Sequence, residues 1–331
     1  MKKALAILLV LASVFTMVFA QGATDSAAPA AEKMELIILS AGKESESDII
    51  KEAFGKAYPN ITVTTIEKDS AAILSTVQQG GANPDGDVVM LIAQDSLDAM
   101  AANLQSYTTK NDAKFGEGYK GADDKWYASS MPLQTFMYNT DLLKGDDIPK
   151  SWYDLADPKY KGKIVLANPS SSGSAYAQLY MMYKLTGDLS LAKAIAENGT
   201  TYVTSSKAGP QGVDRGEFAL TMTGESNVSQ YIGDGGPVAY FYPKEGTGLR
   251  VEGSAIIANA KNLKAAQIFM DWLTSKEGAE AIREMGRRAV STEVEGPAHL
   301  PALSEITFFE YDATEAGQIK SKLCDEFNTF L

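Results

Sequence analysis

The sequence predicts an α/β protein of two lobes, and three observations carry that reading. Strand-like and helix-like segments alternate from residue 34 onward in a βαβαβ rhythm. The rhythm breaks over 106–130, a stretch richer in glycine and polar residues, and resumes at a proline-flanked strand over 133–138. Finally, 331 residues divide more naturally into two lobes than one, and no repeat period or long linker separates them.

Taken in order, Met34-Glu35-Leu36-Ile37-Ile38-Leu39 reads as a strand, Ser40-Ala41-Gly42 as a small loop, and 44–58 as a helix. Pro59-Asn60 turns the chain into a second, alternating strand over 61–66, followed by a helix over 71–79. Asn83-Pro84-Asp85-Gly86 then leads into the apolar strand 87–92. The rhythm implies a parallel sheet, whose ligands bind at loops beyond the carboxyl ends of the strands. The strand at 133–138 marks the crossing into the second lobe. That lobe contains a strand over 163–166, a helix over 175–185, and strands over 217–222 and 237–242. A strand at 255–258 and helices over 263–274 and 276–285 return to the first lobe. The expected division is therefore discontinuous: 34–131 with 243–331 for lobe one, 132–242 for lobe two.

Composition removes several functional classes. A net charge of −12, with 42 acidic and 30 basic residues and no lysine or arginine run, makes a poor nucleic-acid binder. It leaves room for a small anion, because a local nest of backbone N–H groups can hold one inside an acidic protein. The single cysteine, Cys324, cannot form an intramolecular disulfide, and the single histidine, His299, stands alone between prolines, a context that argues against a histidine-based triad or a histidine-rich metal site. At the N-terminus, Lys2 and Lys3 precede an apolar stretch ending in Val18-Phe19-Ala20. That pattern predicts a cleavable secretory signal over 1–20, cut after Ala20, with 21–33 as a flexible lead-in and a periplasmic location.

The strongest site candidate is the serine-rich loop 170–174, which sits immediately before a predicted helix. Free N–H groups and the positive end of the helix dipole favour an anion there, serine hydroxyls add donors, and Gly173 admits a ligand close to the backbone. The same residues also suit a turn and helix cap. The loop Ser40-Ala41-Gly42 offers similar geometry on lobe one, and Ala93-Gln94-Asp95 is a further strand-end loop. Glu225, in the polar loop Thr223-Gly224-Glu225-Ser226-Asn227, offers an acceptor for ligand hydroxyl or amino groups.

Other strings fail on context. Gly116-Glu117-Gly118-Tyr119-Lys120-Gly121 spells a dinucleotide fingerprint but lies in a polar segment rather than between a strand and a helix. Ser190-Leu191-Ala192-Lys193 lacks the companion β-lactamase motifs. Tyr176, Tyr180 and Tyr183 share one helical face, which packing explains.

Several segments nonetheless resemble a known family. Asn83-Pro84-Asp85-Gly86-Asp87-Val88-Val89, Pro149-Lys150-Ser151-Trp152-Tyr153-Asp154-Leu155, Tyr242-Pro243-Lys244-Glu245-Gly246-Thr247 and the stretch 265–278 are similar to bacterial solute-binding proteins of the ferric-iron-binding-protein-like family. The resemblance implies a type II periplasmic binding fold, a hinge, an interlobe ligand cleft, and delivery of the ligand to the membrane permease of an ABC transporter. Iron-binding members carry an adjacent tyrosine pair after the strand that follows a Gly-Glu. Here Gly216-Glu217 is followed by a strand and then by Thr223-Gly224-Glu225, without the pair. Ferric iron is a hard cation that wants anionic oxygen, so the departure argues against iron. It resembles instead members that bind phosphorylated sugars or phosphonates. By resemblance, the site comprises Ser40, Ala41, Gln94, Ser171, Ser172, Gly173, Ser174, Thr223, Glu225 and Glu245, with no metal and no cofactor. The alternative is ferric iron held by scattered tyrosines such as Tyr231 or Tyr242. An exported enzyme or a chemosensory binding protein stands further back. The expected working form is a monomer.

Overall fold

The structure, a computed structural model, describes residues 32–331; the signal segment expected at 1–20 and nearly all of the lead-in lie outside the described residues. The chain first lays down β1 (Met34–Ser40), α1 (Glu44–Ala57), β2 (Ile61–Glu67), α2 (Ser70–Gly80), β3 (Val88–Ala93), α3 (Gln94–Ala99) and β4 (Tyr127–Ser130). It continues with β5 (Gln134–Asn139), β6 (Ile164–Ala167), α4 (Gly173–Thr186), α5 (Ser190–Glu197), β7 (Thr201–Val203), α6 (Ala208–Asp214), β8 (Leu220–Gly224), α7 (Glu225–Gly233) and β9 (Val238–Phe241). It ends with β10 (Thr247–Gly248), β11 (Glu252–Ile256), α8 (Leu263–Leu273), α9 (Lys276–Glu284), β12 (Phe308–Phe309) and α10 (Ala313–Asn328).

The fold is α/β and two-lobed, each lobe built on a five-stranded sheet. One runs β2-β1-β3-β11-β4 and the other β7-β6-β8-β5-β9. The sheets are mixed rather than wholly parallel as the rhythm implied. β1 pairs parallel with β2 and β3, and β6 pairs parallel with β7 and β8. β11 runs antiparallel to β3 and β4, and β5 runs antiparallel to β8 and β9. Topology explains the two exceptions. The chain leaves the first sheet through 131–133 and returns through 242–251. A strand arriving from the crossing starts where the parallel strands end, so it must run against them.

Side-chain alternation along the strands gives each sheet two apolar faces. Leu36 and Ile38 of β1 pack with Ile50, Phe54, Phe269 and Trp272 under α1 and α8, whereas Leu39 joins Ile73, Val77 and Leu97 on the opposite face. In the second sheet Phe136, Leu166 and Met222 face α4 and α5, while Met137 and Val165 face α6 and α7. α10 packs against both lobes: Ala316, Leu323, Cys324 and Phe327 join the second core, and Lys320 donates to Asp95 of α3 at 3.2 Å. Tyr176 donates to the Ala316 carbonyl, and Tyr180 donates to Glu315 at 2.6 Å, so two of the tyrosines on the α4 face serve packing against α10. Burial raises the Cys324 thiol, which keeps it protonated and unreactive.

Candidate ligand-binding site

Loops at the carboxyl ends of the parallel strands from both sheets converge on one cavity of about 110 Å³. Its lining comes from Ala41, Lys43 and Glu46 after β1, Asp69 and Ser70 after β2, 171–174 after β6, 204–207 after β7, and Gly224, Ser226 and Asn227 where β8 passes into α7. This placement follows from the topology, since parallel strands deliver all their outgoing loops, and the helix N-termini that follow, to one end of the sheet.

The second lobe contributes the donors. Ser172 is the N-cap of α4 and its Oγ accepts from Ala175 N at 3.3 Å, which leaves its hydroxyl hydrogen free to point into the cavity. The N–H groups of Gly173 and Ser174, at the first two helical positions, have no intrahelical acceptor. Ser171 is already occupied, donating to Thr204 O at 2.6 Å, and this bond ties the α4 loop to the loop after β7. Ser174 donates to Gln134 Oε1 at 3.1 Å, and Gln178 Nε2 donates to the same oxygen at 2.7 Å, so Gln134 is held by its carbonyl end with its amide nitrogen left over. An ideal Cβ placed on Gly173 would meet only Ser70 Oγ, at 4.0 Å, which leaves the helix end open to a ligand.

The first lobe provides a charged floor. Glu252 bridges two arginines, accepting from Arg250 Nη2 at 2.9 Å and Arg287 Nη1 at 2.6 Å. Arg287 also donates from Nε to Glu46 at 2.9 Å. Burial by itself would raise the Glu46 carboxyl, but the adjacent Arg287 guanidinium holds it below the ordinary carboxylate range. Glu46 further accepts from the Lys43 backbone N–H at 2.7 Å, which fixes the start of α1 against the floor. Arg250 is 8% exposed, yet its Nε has no partner. Gly42 sits close beneath two side chains: a Cβ there would lie 2.8 Å from Glu46 Oε2 and 2.9 Å from Leu91 Cδ1, so these would have to shift. Leu91 itself has a left-handed φ of 59°, a strained conformation for a branched residue and one that lies on the cavity wall.

Two lysines complete the lining, one from each lobe. Lys207 precedes α6 and has no carboxylate partner among the ion pairs of the described residues. Lys43 reaches from the start of α1 to α7, where its Nζ donates to Gln230 Oε1 at 2.7 Å. Burial brings the Lys43 ammonium down to about 8, with repulsion from Arg287 and Lys207 adding to the effect against the attraction of Glu46. Summed over the lining, four cations (Lys43, Lys207, Arg250, Arg287) face three carboxylates (Glu46, Asp69, Glu252), so the cavity is positive in a protein of net charge −12. Among the described residues, no aromatic side chain lines it.

Of the residues expected at the site, the structure brings Ala41, Ser171, Ser172, Gly173 and Ser174 together on the cavity wall. Ser40 is fully buried just behind it, its Oγ accepting from Gly42 N at 3.1 Å. Gln94 lines a small adjoining pocket with Arg250 and Tyr311 instead. Glu245 lies off the cavity lining and accepts from Ser151 Oγ at 2.7 Å and Trp152 N at 3.2 Å. Thr223 is buried, with Asn227 Nδ2 donating to it at 2.6 Å. Glu225 differs most from expectation. The segment read as a loop is the start of α7, and a rotation of about 100° per residue sends Glu225 inward while Ser226 and Asn227 face the cavity. Arg288 donates to both Glu225 oxygens, at 2.8 and 3.0 Å, and Tyr242 donates to one of them. Burial pushes this carboxyl up to about 7, against the pull of Arg288.

Sequence reasoning missed Lys43, Glu46, Gln134, Lys207, Arg250, Glu252 and Arg287. Gln134 carried a usable signal, an amide side chain at the start of the strand at the crossing between lobes. The charged floor carried none, because Glu46 and Arg287 are 241 positions apart.

Residues 50–306 match the family model described as "Bacterial extracellular solute-binding protein". Among curated relatives, an Fe(3+)-binding periplasmic protein of Serratia marcescens is 27% identical over 76% of this chain and 77% of its own length. A putative 2-aminoethylphosphonate-binding periplasmic protein of Salmonella typhimurium is 24% identical over 74% of this chain and 73% of its own. Among solved structures, the periplasmic binding protein AfuA from Actinobacillus pleuropneumoniae, with exogenous fructose-6-phosphate bound, superposes with a TM-score of 0.82 at 24% identity, covering 90% of this chain and 98% of that one.

Proposed function

The chain belongs to the bacterial extracellular solute-binding proteins, whose members bind small ligands and deliver them to ABC permeases, and from that premise we propose that its own ligand is a small phosphate- or phosphonate-type anion. The observation that carries this reading is the open N-terminus of α4, with the free Ser172 hydroxyl and the N–H groups of Gly173 and Ser174, in a cavity that also holds Lys43 and Lys207. Each group is a donor or a cation, and a helix N-terminus adds the dipole's positive end. The lack of an aromatic platform favours a compact polar ligand recognised by hydrogen bonds, and the floor carboxylates Glu46 and Glu252 can accept from its hydroxyl or amino groups. The likeness to AfuA and to the Salmonella relative supports the same class. In this reading the ligand contacts are Ala41, Ser172, Gly173 and Ser174, with Lys43, Gln134, Lys207, Ser226 and Asn227 added to them. The protein works as a monomer after export and removal of residues 1–20, and carries no catalytic step.

Ferric iron is the second reading, and relatives such as the Serratia protein favour it. Against it, the cavity lining holds no tyrosine, and of the tyrosines considered for iron, Tyr242 is bonded to Glu225. Calorimetric titration of the purified protein with fructose 6-phosphate, 2-aminoethylphosphonate and ferric citrate separates the two. The proposal expects saturable binding of at least one phosphorus ligand. Binding of iron alone, with a visible phenolate charge-transfer band, would replace it.

A further inference from the structure

Lys43 stands on the partition between two cavities. It lines the main one, and with Glu46, Ser229, Gln230, Asp234 and His299 it also lines a second chamber of about 350 Å³ beside it. Its side chain is half-buried, and the hydrogen bond it makes among the described residues is to a neutral amide, Gln230 Oε1 at 2.7 Å. A half-buried ammonium held by a neutral acceptor is only partly compensated, because charge-assisted partners are the ones that best offset desolvation. The charged groups around it are Glu46 on its own helix, Arg287 after α9, Lys207 before α6 and Asp234 after α7. Glu46 is already taken by Arg287, and Arg287 and Lys207 both repel Lys43.

Resting on the anion-binding reading above, we propose that Lys43 is the residue through which the site reads ligand charge: a bound phosphoryl dianion takes the ammonium from Gln230. The cross-cleft bond in this structure is then the placeholder for that contact. A dianion placed near the α4 N-terminus satisfies Lys43, relieves its repulsion with Lys207, and joins the two lobes through one ligand. A monoanion such as a sulfate ester compensates less of that charge and binds more weakly.

The test is calorimetry with fructose 6-phosphate from pH 6.5 to 9, in two buffers of different ionisation heat. The second ionisation of a phosphate monoester lies near ~6 and is complete over the upper part of that range. The wild type should take up a proton on binding near pH 8 and lose affinity above it, by up to about tenfold per pH unit. Lys43→Met should bind about 10- to 100-fold more weakly, the loss expected for a charge-assisted contact, with no proton uptake. Gln230→Glu separates the proposal from a purely structural latch. It strengthens the cross-cleft bond, so a latch would keep or improve affinity, whereas a ligand competing for Lys43 loses about tenfold. A pH-independent wild-type affinity between 7 and 9, or unaltered binding by Gln230→Glu, overturns the role of Lys43 while leaving the anion site standing. If the wild type binds neither fructose 6-phosphate nor 2-aminoethylphosphonate, the anion reading itself falls, and this inference with it.

Discussion

Replacing Gly173 by alanine separates what helps the fold from what helps the ligand. The new Cβ would meet only Ser70 Oγ at 4.0 Å, an ordinary contact, and Gly173 does not adopt the left-handed backbone that excludes side chains. Gly173 is the first residue of α4, where alanine is the better helix former. An interior exchange is worth about 0.5–1 kcal/mol, and the terminal position reduces this, so the free protein should be as stable or slightly more so. The same methyl group occupies the open face of the helix N-terminus, in front of N–H groups assigned to the ligand. Loss of one charge-assisted hydrogen bond costs about 1.5–3 kcal/mol, or roughly 10- to 150-fold in affinity. Thermal melting and calorimetry on the same preparation would therefore move in opposite directions: an unchanged or raised Tm and a weakened phosphate ligand. Unchanged affinity in Gly173→Ala would refute the placement of the anion at this helix end.

Three further outcomes follow from named contacts. Ser172→Ala should weaken binding and, because Ser172 caps α4, should also lower stability by about 1 kcal/mol, read from urea unfolding without ligand. Glu225→Ala, measured at pH 8 where the carboxyl is ionised, leaves the buried Arg288 guanidinium without its bidentate partner and should cost about 3 kcal/mol of stability. If stability is unchanged and binding is abolished instead, Glu225 faces the ligand after all. Gly42→Ala forces a Cβ against Glu46 Oε2 at 2.8 Å and Leu91 Cδ1 at 2.9 Å, so it should destabilise by about 1–3 kcal/mol, seen as a lowered Tm.

Local pattern made much of this molecule legible from its residues. The apolar runs of β1 and β3 and the alternation of β2 announced the first sheet because each strand's periodicity is contained within it. The serine loop before α4 was legible for the same reason, since a cap and an anion site both depend on residues adjacent in sequence. The antiparallel placement of β5 and β11 was not, because strand direction is set by the crossings and not by the strand's own residues. The segment beginning at Thr223 misled because its polar residues and Gly224 resemble a loop, while Val228 and Ser229 bury the helix through tertiary contact alone. The Arg250–Glu252–Arg287–Glu46 floor has no local period, and Lys43 and Lys207 come to line one cavity only after both sheets are assembled.

In the proposed function, the open α4 N-terminus, with Lys43 and Lys207 in the same cavity, holds a small phosphorus oxyanion. Native mass spectrometry of the protein as purified, with the retained molecule released and weighed, tests it most directly. The expected adduct has a released mass corresponding to a phosphate ester or phosphonate and is retained less well by Gly173→Ala. An adduct of ferric iron, or a released ligand without phosphorus, would contradict it.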